Sequence, residues 1–182
     1  NTGATLSGTT SVTAVDGVAT FSDLKFTGTS GNYKLDFAST GLTGVSSSTF
    51  SLAAGAASTT SSTVSVSSSS ITANGTSTST ITVQLKDANS NNLGASGGTI
   101  TFTSPSTGSI GTVTNNNNGT YTATYTSGTS SGSVTIEAKL GGVAISNTAS
   151  ITLTAGAAST TTSTVSVSSS SITANGTSTS TI

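Results

Sequence analysis

Two stretches of this chain are nearly the same stretch. Gly55–Ile81 reads GAASTTSSTVSVSSSSITANGTSTSTI, and Gly156–Ile182 repeats it 101 residues later with Thr162 in place of Ser61 as the one difference. A period of that length exceeds the 20–50 residues of a solenoid unit and matches one β-sandwich module of about 100 residues. The period divides the chain into residues 1–54, the C-terminal part of one module, 55–154, a complete module, and 155–182, the N-terminal part of the next. The last residue falls inside a predicted strand, so the expectation is a window from a longer tandem array.

Composition decides whether these modules fold at all. Ser and Thr supply 81 of the 182 residues, a proportion also found in disordered, glycosylated stalks. Against disorder, apolar residues reach 31% and alternate with polar ones, and Pro occurs once, at Pro105. Thr itself suits a pleated, half-buried surface because its Cβ is branched.

Charge is almost absent: four Lys, five acids and no His. Nucleic-acid binding needs clustered cations to displace counterions, and a polybasic membrane patch needs the same, so neither partner is expected. No apolar run approaches the roughly 20 residues of a spanning helix, so no membrane insertion is expected in this segment. Cys is zero, which removes disulfides, thiolate nucleophiles and zinc–sulfur sites together. A hydroxyl-rich coat with four Lys as its only trypsin sites reads as extracellular.

Period-2 alternation places seven or eight short strands in residues 55–154. Val64 and Val66 open the set, followed by Ile71. Ile81, Val83 and Leu85 alternate with Thr82, Gln84 and Lys86, and the turn Asp87–Gly94 leads to Ile100 and Phe102. Ile110 and Val113 mark one short strand. Tyr121, Ala123 and Tyr125 form another row, then Val134, Ile136, Ala138 and Leu140, and finally Ala149, Ile151 and Leu153. Adding 101 carries Gly31 to Gly132, Tyr33 to Val134, Leu35 to Ile136, Phe37 to Ala138, Phe50 to Ile151 and Leu52 to Leu153. The core of residues 1–54 is then expected at Val12, Ala14, Ala19, Phe21, Leu24, Phe26, Tyr33, Leu35, Phe37, Phe50 and Leu52. The junctions Ala54–Thr59 and Ala155–Thr160 hold one Gly each, short for a flexible tether, and are expected to be semi-rigid.

Val83-Gln84-Leu85-Lys86-Asp87-Ala88-Asn89-Ser90-Asn91-Asn92-Leu93-Gly94, followed by Ile100-Thr101-Phe102, resembles the bacterial Ig-like domains of invasin and intimin type, as does Gly119-Thr120-Tyr121-Thr122-Ala123. Asp16-Gly17-Val18-Ala19-Thr20-Phe21 with Tyr33 is similar to repeats of large bacterial surface adhesins. Leu93 departs from that pattern, where Pro is common. The resemblance implies all-β, tandem Ig-like antiparallel β-sandwich modules in a cell-surface protein.

A Ser nucleophile needs a base, and without His only a buried Lys could serve, whereas Lys25, Lys34, Lys86 and Lys139 are all expected to face water. The same placement argues against a Lys–Asn isopeptide bond. Asp16, Asp23, Asp36, Asp87 and Glu137 form no pair of the glycosidase kind. Asp87-Ala88-Asn89-Ser90-Asn91 begins like a calcium loop, but Asn92 stands where Gly is needed and Gly98 where a bidentate carboxylate is needed. An Asx-rich turn is expected there instead. Asn74-Gly75-Thr76, Asn118-Gly119-Thr120 and Asn175-Gly176-Thr177 match the N-glycosylation triplet and also a turn signal; the turn is favoured. Thr76, Thr78 and Thr80 are expected as outward hydroxyls rather than an ice-binding row. No enzyme activity, catalytic residue, cofactor or metal is expected.

The expected role is therefore a stalk or spacer of a large bacterial adhesin or extracellular filament, with neighbouring modules of the same chain as partners. The alternatives are a self-assembling surface layer or sheath, with lateral copies as partners, or modules that bind glycans or neighbouring chains directly.

Overall fold

The computed structural model describes residues 3–182, so the first two residues of the 1–54 segment lie outside it. Every regular element among the described residues is a strand. Residues 3–54 carry β1 (Ala4–Ser7), β2 (Lys25–Gly28), β3 (Gly31–Tyr33), β4 (Asp36–Phe37), β5 (Val45–Ser46) and β6 (Phe50–Leu52). Residues 55–154 carry β7 (Thr63–Val66), β8 (Ser70–Thr72), β9 (Thr78–Gln84), β10 (Ile100–Phe102), β11 (Ser109–Ile110) and β12 (Thr114–Asn115). They continue with β13 (Thr120–Thr126), β14 (Gly132–Ile136), β15 (Ala138–Leu140), β16 (Val143–Ala144) and β17 (Ala149–Thr154).

The all-β expectation holds, but the complete module has eleven strands rather than seven or eight. Two apolar rows are broken. Ile110 lies in β11 while Val113 precedes β12, so the single strand expected there is two. The row from Val134 to Leu140 changes sheets at Glu137: β14 pairs with β17, and β15 pairs with β10. Alternation shows which side chains point inward, but not where a strand bends from one sheet to the other.

In one sheet, β9 lies between β7 and β13, and β11 and β12 both pair with β13. Thr120↔Gln84 to Thr126↔Thr78 sets the long β13–β9 register, which turns Tyr121, Ala123 and Tyr125 to the same face as Val83 and Ile81. The facing sheet is β14–β17–β8, and β10–β15–β16 continues it past the bend. β8 runs parallel to β17, a departure from the purely antiparallel expectation. It arises because the chain leaves β7 and crosses directly to the other sheet. A buried hydroxyl fastens the crossing: Ser79 Oγ donates to the Ser68 carbonyl at 2.9 Å and accepts from its N–H at 3.0 Å.

Between the sheets lie Ile81, Val83, Leu85, Tyr121, Tyr125, Val134, Ile136, Ile151 and Leu153, all buried. Each such side chain contributes about 1.5–3 kcal/mol of apolar burial. Both tyrosine tips have partners, as buried phenols require: Tyr121 Oη donates to Gly98 O at 2.6 Å, and Tyr125 Oη to Thr107 O at 2.9 Å. Ile145 and Leu93 join this core unannounced by alternation. The Leu93 N–H donates to Leu85 O at 3.0 Å, a bond that a Pro there could not make.

Residues 3–54 repeat part of this plan. β3 and β6 pair Gly31↔Leu52 and Tyr33↔Phe50, and adding 101 gives the Gly132↔Leu153 and Val134↔Ile151 pairs of β14 and β17. β1 and β2 also pair antiparallel, Leu6↔Phe26, as β11 and β13 do at Ile110↔Tyr125, but there the offset is not 101. The packing is shallower: Tyr33 is buried, and Val12, Phe21, Leu24, Phe26, Leu35, Phe37, Phe50 and Leu52 are half-buried. Ala14 and Ala19, expected in this core, are exposed because they flank the Val15↔Val18 bridge at a hairpin tip. Aromatic contacts supply cohesion, with Phe26 on Phe50 edge to face at 4.8 Å and Phe21 near Phe37 at 5.6 Å. Beside them an open groove of about 330 Å³ is lined by Val12, Phe21, Phe37, Leu42 and Val45. Residues 155–182 hold no strand.

Candidate functional site

The residues with most polar chemistry in this chain gather at Asp87, in the turn after β9. Its carboxylate is buried and collects N–H donors. Oδ1 accepts from the Asn89 and Asn91 N–H groups, both at 2.9 Å, and Oδ2 accepts from the Asn91 amide at 2.9 Å and the Gly55 N–H at 2.8 Å. The Asn91 amide, then the Gly55 N–H, hold the carboxyl down at about 2 against an ordinary 3.8, since donors favour the charged form. Ser90 takes a positive φ of 65° to close the turn. The sequence places an Asx turn here, and its side chain does bond the local backbone; its grip on Gly55, 32 residues back, is additional. Chemically this is an acceptor hub, a carboxylate used to hold backbone segments together.

The other acids stand apart. Asp23 accepts from the Thr9 N–H at 3.0 and 3.1 Å and from the Thr9 hydroxyl at 2.8 Å, and those bonds lower its carboxyl, the N–H first. Asp36 accepts from Ser46 Oγ, and Glu137 is exposed at the strand bend. Lys25 and Lys34 are exposed, whereas Lys86 and Lys139, also expected to face water, are half-buried. Among the described residues no group of three His, Cys, Asp or Glu gathers as a metal site would require. Among the described residues, no helix is long and apolar enough to cross a membrane.

Each Asn-Gly-Thr triplet forms a turn capped by its own Asn. Asn74 Oδ1 accepts from the Thr76 and Ser77 N–H groups at 3.0 and 2.8 Å, and Asn118 Oδ1 from the Thr120 N–H at 3.1 Å. Asn175 Oδ1 does the same for Thr177 and Ser178 at 3.0 and 2.9 Å. The glycines alone take the positive φ, 78° at Gly75, 82° at Gly119 and 71° at Gly176, so the asparagines act through their side chains. Thr76, Thr78 and Thr80 are exposed. An open groove of about 500 Å³ runs between β10 and β11, past Ile100, Phe102, Pro105, Ile110 and Val113.

The family described as Invasin, domain 3, matches residues 58–156. The chain is similar to the Yersinia pseudotuberculosis adhesin InvE, with 35% identity over 56% of this chain and 28% of that one, at a TM-score of 0.50. It is similar to invasin, a bacterial integrin-binding protein, with 28% identity over 73% of this chain and 27% of that one, at a TM-score of 0.50. The Escherichia coli adhesin FdeC shares the fold at 23% identity and a TM-score of 0.51, over 74% of this chain and 43% of that one. The chain thus spans about a quarter of the length of InvE and of invasin. No curated protein matches it by sequence.

Proposed function

Because the chain belongs to the invasin domain 3 family, a family of Ig-like modules from cell-surface adhesins, we propose that it is a stalk: a run of modules that projects a distal binding region from a bacterial surface. One observation carries this reading. The same strand register returns after 101 residues, at Tyr33↔Phe50 and Val134↔Ile151, so the chain is built by repeating a unit rather than by elaborating a site. We place the module boundaries at 54/55 and 154/155 and the protein outside the cell. A nearly uncharged hydroxyl coat keeps such a rod hydrated with few electrostatic handles.

A spacer must add length per copy. Inserting one, two or four copies of residues 55–154 between a surface anchor and a binding tip should move the tip outward by roughly 30–45 Å per copy, from about 3.3 Å per strand residue. Electron microscopy of displayed tips reads this directly. Adhesion by the modules without the tip, or no increment per copy, overturns the proposal. Small-angle scattering of the 182-residue chain should show an elongated particle unchanged by salt, since few charges are present to be screened.

A second reading rests on β10. It is an edge strand, and because Thr99 and Thr103 bond β15 or its ends, the Ile100 and Phe102 backbone groups face the open groove. Natural edges are normally blocked by charge, and this one is uncharged. Concentration-dependent sheets or fibres would favour lateral assembly over the stalk.

A further inference from the structure

The turn after β9 looks, from sequence, as though it serves only itself. Asn91 does not. Its amide Nδ2 donates to Asp87 Oδ2 and also to the Gly28 carbonyl at 2.9 Å, while its Oδ1 accepts from the Ser30 N–H at 2.8 Å. Gly28 ends β2 and Ser30 lies in the turn before β3, more than 60 residues away, on the other side of the Ala54–Thr59 junction. Both Nδ2 hydrogens and Oδ1 are thereby used, and the side chain is 7% exposed. Only one orientation of the amide meets two acceptors and one donor.

The seat is prepared for it. Thr29, between the two contacted residues, is held within its own segment: its N–H donates to Gly3 O at 2.7 Å, and its carbonyl accepts from Tyr33 Oη at 2.6 Å. Gly28 sits at a φ of 125°, where an added Cβ would lie 2.2 Å from Gly3 O. The two bonds of Thr29 hold the turn within its own segment, so the Gly28 carbonyl and the Ser30 N–H are presented together as an acceptor–donor pair. Asn91 is held equally firmly, because the Asp87 carboxylate that orients its amide also holds the Gly55 N–H of the connecting peptide.

We propose that Asp87 and Asn91 form an inter-module latch, which docks each module on the β2–β3-type turn of the module before it and fixes the angle between them. An amide that meets the preceding segment only at main-chain atoms recognises the shape of the turn and tolerates changes in its side chains. The latch therefore suits an array whose modules differ in wording while keeping one frame. The geometry of the latch stands by itself; its purpose as the source of rod stiffness rests on the stalk reading.

The test uses the whole 182-residue chain and solution NMR. In the parent, the Ser30 amide should exchange slowly, and residual dipolar couplings from residues 3–54 and 56–154 should fit one alignment tensor. Asn91→Ala should accelerate Ser30 exchange at least tenfold and split the tensor in two, with Leu85 and Ile136 exchange unchanged; Asn89→Ala serves as the control. Ser30→Pro removes the donor from the other side and should split the tensor while leaving the Asn91 N–H protected. A Ser30 amide that exchanges freely in the parent, or a single tensor surviving both substitutions, overturns the latch. Loss of Ile136 protection along with Ser30 in Asn91→Ala also counts against it, since the residue would then be holding the fold rather than the junction. Failure of the stalk reading, for instance through adhesion by the modules themselves, would leave every one of these readouts in place.

Discussion

Thr63–Val66 is a strand, and its counterpart at 164–167 is not, although the surrounding 27 residues differ only by Ser61 against Thr162. The hydrogen bonds of the turn and the crossing recur in both copies. Asn74 and Asn175 cap equivalent turns. Ser79 Oγ reaches Ser68 O at 2.9 Å, and Ser180 Oγ reaches Ser169 O at 3.0 Å. The Ser67 N–H meets Thr80 O at 2.9 Å, as the Ser168 N–H meets Thr181 O. What differs is long range: in the first copy β9 lies on β13, β8 lies on β17, and the Val64 N–H finds Asn147 Oδ1 at 2.6 Å. For the second copy those partners are already occupied. The repeat thus encodes its turns and crossings by itself, whereas its strands are conferred by residues downstream, as expected when β-propensity is largely a matter of packing context.

The most severe way to break this comparison is to supply the missing partners. Appending the sequence of residues 82–154 after Ile182 should convert 164–182 into strands, with Val165 and Ile182 falling from 84% and 87% exposed to buried, and their amides slowing in exchange by about 100-fold or more, as for core strands. If they stay as fast as in the parent, the two copies differ for some reason other than partners. Next in size are paired substitutions. Ile81→Ser places an unpartnered hydroxyl in a fully buried position and should cost about 3–5 kcal/mol, while Ile182→Ser should stay within about 0.5 kcal/mol. Urea melts followed by circular dichroism measure both, and equal costs would show that Ile182 is packed as Ile81 is.

Smaller still is the hydroxyl crossing. Ser79 is 2% exposed, and its removal leaves the Ser68 N–H and carbonyl without this partner, so Ser79→Ala should cost about 1–2 kcal/mol. Ser180 makes the same bonds in a more open setting, and Ser180→Ala should cost less than half as much in the same urea melts. A matching loss at both sites would mean that the bond, rather than its burial, carries the energy.

This contrast also explains what was legible beforehand. Alternation identified the inward row Ile81, Val83 and Leu85 and its partners in β13, β14 and β17 because each strand has one buried face. It missed Ile145 and Leu93, which lie outside alternating runs and enter the core from turns. It misplaced Ala14 and Ala19, since small apolar residues near a Gly carry too little bulk to reveal which way a hairpin tip points. The Asx turn at Asp87 was legible from Asp and Asn spacing. The reach of Asn91 to Gly28 and Ser30 was not, because a bond to the main chain leaves no signature in the partner's side chains.

The smallest effect separates the copies by charge. Residues 155–182 contain no ionisable side chain, so acid should act through residues 3–154 alone, and chiefly through Asp87 and Asp23, whose carboxyls are both lowered by donors in the fold. A carboxyl depressed in the folded state stabilises it fully above its unfolded value, and that contribution disappears as pH falls through the folded value. For Asp87 the window runs from 3.8 down to about 2. Melting temperatures should therefore be level from pH 7 to about 5 and should decline below pH 4, following the carboxylate titration range. Asp87→Asn retains an acceptor oxygen but cannot titrate. It should melt lower than the parent at pH 7 and decline less between pH 4 and 2, leaving the slope that belongs to Asp23. A decline as steep as the parent's would mean that the N–H donors around Asp87 satisfy a neutral side chain as well as a charged one, and that its low carboxyl value has no bearing on how the first copy is held.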